Sequence, residues 1–162
     1  MLLFKTDFDG LNYQLRFNPA ELKLMAAILR KEVTKEKKDL QNWYKQNDAY
    51  DEFSFKISSG EKDLLIQYSD DKEMYNQKLF YLIESAQFDF SIVRKLDTIS
   101  PTHYQFENNY GNAPFISIYL AFEKAQKDNP VKEFIFNDQV FGNRIIPIDI
   151  QKLNTLNIPK IK

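Results

Sequence analysis

The chain has no cysteine, one histidine, four glycines and four arginines in 162 residues. Each scarcity removes a class of chemistry. Without cysteine there is no disulfide framework, thiol nucleophile or thiolate metal site. Zinc sites draw on histidine and cysteine, so His103 alone cannot furnish one, and metal ligation is not expected. Gly10, Gly60, Gly111 and Gly142 stand apart from one another. A phosphate-cradling loop needs glycines clustered where backbone meets phosphate, so Walker-type and dinucleotide-binding sites are not expected either. No Gly-x-Ser-x-Gly elbow occurs. No cofactor is expected, and no catalytic residue is assigned.

Charge is nearly balanced, 22 basic against 23 acidic residues for a net −1. That supplies no bulk electrostatic reason to bind nucleic acid or anionic lipid. The four arginines are Arg16, Arg30, Arg94 and Arg144, few for a protein that reads phosphate with planar forks. The bias toward Lys, Asn, Ile, Phe and Tyr fits an AT-rich genome and points to a low-GC bacterium or its phage. No apolar run is long enough to cross a bilayer. Residues 1–7 lack a basic region followed by an apolar stretch, so they do not read as a signal peptide. With the missing cysteine, this makes a cytoplasmic location the expectation.

What is abundant is aromatic: 14 Phe, 9 Tyr and one Trp. Residues 2–17 read as a β-hairpin. Asp9-Gly10 is a two-residue turn signal because both positions tolerate positive φ. Centring the turn there pairs Phe8 with Leu11, Thr6 with Tyr13, Phe4 with Leu15 and Leu2 with Phe17, which makes one face apolar. A helix over 19–46 is predicted next, with Asn18 as N-cap, Pro19 at the first position and Glu21 three beyond the cap. Its buried stripe would be Leu22, Met25, Ala26, Leu29, Val33, Leu40 and Trp43; the stripe lapses at Glu36-Lys37-Lys38, where the helix either breaks or protrudes. Phe53, Phe55 and Ile57, then Leu64, Ile66 and Tyr68, alternate around a Ser59–Lys62 loop and predict a second hairpin. Asp70, with Glu73 at the capping-box position, would start a second helix buried along Tyr75, Leu79, Leu82, Ile83 and Ala86.

Residues 87–96 fit strand or helix equally. Thr102–Phe106 reads as a strand and Asn108–Asn112 as a turn. Pro114 opens a predicted third helix through about Lys127, apolar nearly all round and therefore central. Phe134-Ile135-Phe136 and Ile145-Ile146 predict a closing hairpin turning at Asn137-Asp138 or at Gly142-Asn143, with Pro147 confining the last strand to an edge. The fold class expected is α+β: a mainly antiparallel sheet of hairpins covered by about three helices, in the order ββα-ββα-(β)β-α-ββ. Residues 1–150 would form a single domain and 151–162 a C-terminal tail.

Carboxylates cluster at Asp48-Asp51-Glu52 and at Asp70-Asp71-Glu73 without calcium-loop spacing. With no assembled chemistry and many aromatics, the leading expectation is a non-enzymatic protein-interaction module. Interfaces favour Trp and Tyr anchors with charges at the rim. The partner-binding candidates are Trp43, Tyr44 and Tyr50, with Asp48, Asp51 and Glu52. Small motif-free proteins of this kind include immunity proteins, adaptors and phage accessory factors, so the partner would be another protein, a toxin or a complex subunit. Two alternatives stand beside it. One is a small hydrolase using His103 and carboxylates. The other is a weak nucleic-acid binder using Lys31, Lys35, Lys37, Lys38 and Lys45 of the first helix, near Trp43 and Tyr44.

Overall fold

The computed structural model describes residues 2–60 and 62–155. The chain is α+β, as expected, with two antiparallel sheets. β1 (Leu2–Phe8) and β2 (Leu11–Asn18) form the first hairpin in the expected register, Leu2 opposite Phe17 through Phe8 opposite Leu11. Asp9 and Gly10 both have positive φ, 53° and 79°. This backbone twist matches that of the flanking strands.

The expected helix over 19–46 is two helices, α1 (Ala20–Leu29) and α2 (Lys37–Asn47). Lys31 adopts φ 61° just beyond α1. The amides of Lys31 and Glu32 donate to the carbonyls of Ile28 and Ala27, at 3.0 and 2.9 Å. That bond pair closes a helix at a left-handed residue, and the charged run after it has little apolar surface to extend the helix. Asn18 does not cap α1; its amide donates to Ser54 Oγ, and Pro19 occupies the cap position. The buried face also differs from expectation. Ala20, Leu24 and Ala27 are buried, while Leu22, Met25 and Leu29 face solvent.

β3 (Tyr50–Ser58) forms, but its neighbours are β2 on one side and the strand Ile116–Glu123 on the other. No strand forms over 64–68. Asp63 Oδ1 accepts from the Leu65 and Ile66 amides at 2.7 and 3.4 Å, turning the chain into a 3₁₀ segment over Ile66–Tyr68. With both edges of β3 occupied, the second hairpin has nowhere to pair; Glu61 of its expected loop lies outside the described residues. α3 (Lys72–Phe80) is capped by Asp71, one residue later than expected, through Met74 N–H at 3.0 Å. Glu73 accepts from Gln77 instead of reaching back to the cap. A π-helical turn at Tyr81–Ser85 buries Leu82 and leaves Ile83 exposed, contrary to the expected stripe.

β4 (Phe90–Arg94) resolves the ambiguity at 87–96 as helical to Asp89 and extended beyond. β5 (Thr98–Ile99) and β6 (His103–Glu107) follow. The expected third helix at 114–127 is instead a strand, β7 (Ile116–Glu123). Ile116, Ile118, Leu120 and Phe122 point into the core, and Ser117 and Ala121 on the other face are buried too. A strand buried on both faces is apolar all round, as a central helix is, and the β-branched residues favour the strand. β8 (Val131–Asp138) and β9 (Arg144–Asp149) form the last hairpin, with Pro147 on the edge strand.

The five-stranded sheet runs β1-β2-β3-β7-β6 and the four-stranded sheet β5-β4-β8-β9. They face each other across phenylalanines. Phe55 lies 5.4 Å from Phe90, 5.5 Å from Phe134 and 5.2 Å from Phe136, ring centre to ring centre. Such aromatic pairs add about 0.5–1.5 kcal/mol each beyond the area they bury. Leu153, in a 3₁₀ turn over Gln151–Thr155, packs against the same core; the rest of the expected tail, 156–162, lies outside the described residues. Among the described residues no helix is long and apolar enough to cross a membrane.

Candidate functional site

The six residues expected to bind a partner come together where α2 runs into β3. Trp43 and Tyr44 meet edge to face at 5.6 Å on α2, whose end is tied by Asn47 Nδ2 donating to the Trp43 carbonyl. The Tyr44 hydroxyl is buried without a hydrogen-bond partner among the described residues. Burial, helped by Glu21 and Asp48, raises its pKa.

The carboxylates of this corner are engaged inside the molecule. Lys124, just after β7, places its ammonium 2.5 Å from Asp48 and 3.8 Å from Asp51. Asp51 Oδ2 also accepts from the Ala125 amide at 2.9 Å. Burial raises the Asp51 pKa and outweighs the opposing pull of the Ala125 amide, Lys124 and Arg94. Burial alone would lower the Lys124 pKa, but its carboxylate neighbours reverse that and raise it. Glu52 holds Lys23 of α1 at 2.7 Å, and the same ammonium reaches the Asn47 carbonyl. Asp48, Asp51 and Glu52 therefore fasten α1, α2 and the segment after β7 to β3. Trp43 and Tyr44 are half-buried in the same corner.

Tyr50 remains exposed and stands edge-on to His103 at 5.1 Å. His103 borders a shallow trough of about 300 Å³ on the outer face of the five-stranded sheet, lined also by Asn18, Glu52, Gln105 and Tyr119. The imidazole is exposed and bonded to no carboxylate among the described residues. Glu107, its nearest acid in sequence, accepts from the Tyr119 hydroxyl at 3.4 Å, and Asp97 accepts from Asn129. A general base needs an orienting partner, and among the described residues no carboxylate takes that place beside the imidazole. No group of three or more His, Asp or Glu among the described residues could hold a metal ion.

The surface that sequence reasoning missed is the outer side of α1. Only Glu21 and Lys23 of this helix are polar. One side, Ala20-Leu24-Ala27, packs inward on small residues that permit close approach. Leu22, Met25 and Leu29, at i, i+3 and i+7, share the opposite side with exposures of 37, 51 and 82 %. Arg30, Lys31, Lys35, Lys37 and Lys38 follow directly and are exposed. Among the described residues only Arg30 pairs with a carboxylate, Glu32 at 3.9 Å. The signal was present in the sequence, since a helix burying one face needs an apolar stripe, not eight apolar residues in ten. Comparison of the chain with protein-family models, with curated proteins and with solved structures finds no match.

Proposed function

We propose that this chain is a non-enzymatic protein-interaction module whose partner protein seats apolar side chains on the outer face of α1. The observation that carries this is the second apolar stripe, Leu22-Met25-Leu29, held in water by a helix already anchored through its opposite face. Exposed apolar stripes on rigid elements mark interaction sites when charged residues border them. Here Arg30, Lys31 and the following lysines form that border. The carboxylates of the α2–β3 corner support the surface from behind, because Glu52 holds Lys23 of the same helix. Tyr50, edge-on to His103, is a secondary contact.

The test is a Leu22→Asp, Leu29→Asp variant of the full chain. Both positions are exposed, so the variant should melt like the parent by circular dichroism. Affinity capture from the cells of origin should recover a defined partner with the parent and lose it with the variant. The same partner recovered by both would refute the assignment of the face, and a substrate turned over at His103 would refute the module.

A further inference from the structure

We infer that the partner presents an acidic surface at this face: a helix with apolar side chains at i, i+3 and i+7 bordered by Asp and Glu. This inference rests on the reading that α1 docks a protein. Leu22 to Leu29 spans seven residues, about 10 Å along the axis. That length matches two turns of a second helix laid ridge into groove.

The charge beside the stripe sets the partner's sign. Over residues 30–38 five cations stand against two carboxylates, Glu32 and Glu36, in a chain whose overall charge is −1. The neighbouring acids cannot neutralise them. Asp48 and Asp51 hold Lys124, and Glu52 holds Lys23. Asp39 accepts from the Thr34 hydroxyl. Asp39, Asp48, Asp51 and Glu52 are thus committed internally, whereas Lys31, Lys35, Lys37 and Lys38 make no ion pair among the described residues. A second copy of this chain brings the same net-cationic border and no acidic one, and such an excess of like charge disfavours association. An acidic helix meets both the stripe and its border.

The experiment uses the full ¹⁵N-labelled chain and two synthetic helical peptides. Both carry leucine at i, i+3 and i+7; one has glutamate at the flanking positions and the other lysine. The glutamate peptide should shift amide resonances within residues 20–38 and bind about tenfold tighter than the lysine peptide at low salt, an advantage lost at high ionic strength. A Lys31→Glu, Lys35→Glu variant should reverse the preference. Equal binding of both peptides at α1 would overturn the acidic partner while leaving the docking face in place. Shifts at α1 with neither peptide would overturn both. Phosphatidylserine vesicles perturbing 20–38 where the glutamate peptide does not would overturn the inference in favour of a lipid surface.

Discussion

Asp138 shows how much one side chain carries in this fold. It is fully buried at the end of β8, yet every donor around it is aimed at its carboxylate. Oδ1 accepts from the Val140 and Phe141 amides at 3.1 and 2.8 Å. Oδ2 accepts from the Gly142 amide at 2.9 Å and from the Tyr13 hydroxyl of β2 at 2.8 Å. One residue thereby shapes the β8–β9 loop and ties the two sheets together. Space beside it is full: a Cβ at Gly142 would stand 2.8 Å from Asp138 Oδ2 and 2.8 Å from Arg144 Nε. Replacing Asp138 by alanine strands four donors away from water, and leaving such groups unsatisfied costs about 1–3 kcal/mol apiece before relaxation. A loss of about 3–5 kcal/mol is expected for Asp138→Ala in urea unfolding. Asp138→Asn keeps one acceptor and should lose less. A change within about 0.5 kcal/mol for the alanine variant, the range of an ordinary surface substitution, would show that this network does not hold the loop.

Helix α1 offers the sharpest test among the elements, because sequence and structure assign its faces oppositely. If Leu24 is the core residue and Leu29 the surface one, Leu24→Ala should cost about 2–5 kcal/mol and Leu29→Ala no more than about 0.5 kcal/mol. Equal losses would restore the expected stripe and remove the docking face with it. The first hairpin was legible to the residue, because turn chemistry and alternation specify one register together. At α1 the periodicity was present twice, and no periodic signal says which side meets the protein. Leu64-Leu65-Ile66 and Ile116–Phe122 failed for a related reason. The first is a turn made by the side chain of Asp63 that buries Leu64 and Leu65, and the second is a strand with buried residues on both faces, and neither is distinguishable from its alternative by spacing. The candidate site was half legible. Asp48, Asp51, Glu52, Trp43 and Tyr44 do meet at one corner, but pairing with Lys124 and Lys23 depends on contacts distant in the chain and leaves no trace in local pattern.

Across the molecule the carboxyls and tyrosines that burial shifts tilt stability in one direction, while burial lowers the Lys78 pKa and works the other way. Burial raises the pKa of Asp51 and Asp89, with Lys124 opposing at the first and Tyr81 at the second. Burial also raises Tyr44 of α2 and three further tyrosines, two on the five-stranded sheet and one in the π-helical turn. Tyr81, bonded to Asp89, is pushed up to about 12. Tyr13, bonded to Asp138, and Tyr104, whose hydroxyl donates to the Leu82 carbonyl, are raised as well. All six hold their protons more tightly folded than unfolded. Their contribution is therefore complete below the unfolded pKa and lost as pH rises through the folded one, the carboxyls at the acid end and the tyrosines beyond pH ~10. Base, and not acid, is the condition these groups resist least. Each buried tyrosine that is ionised only when unfolded lowers stability by about 1.4 kcal/mol per pH unit across that window. Tyr104→Phe separates this effect from packing. At neutral pH it should lose about 1 kcal/mol with the Leu82 hydrogen bond, and above pH ~10 its stability should fall less steeply than the parent's, so that the two curves converge or cross. Urea midpoints measured at intervals from pH 7 to 11.5 read this out. Parallel alkaline limbs would mean that the Tyr104 hydroxyl reaches water in the folded chain, and the closure of the sandwich between β6 and the π-helical turn would have to be redrawn.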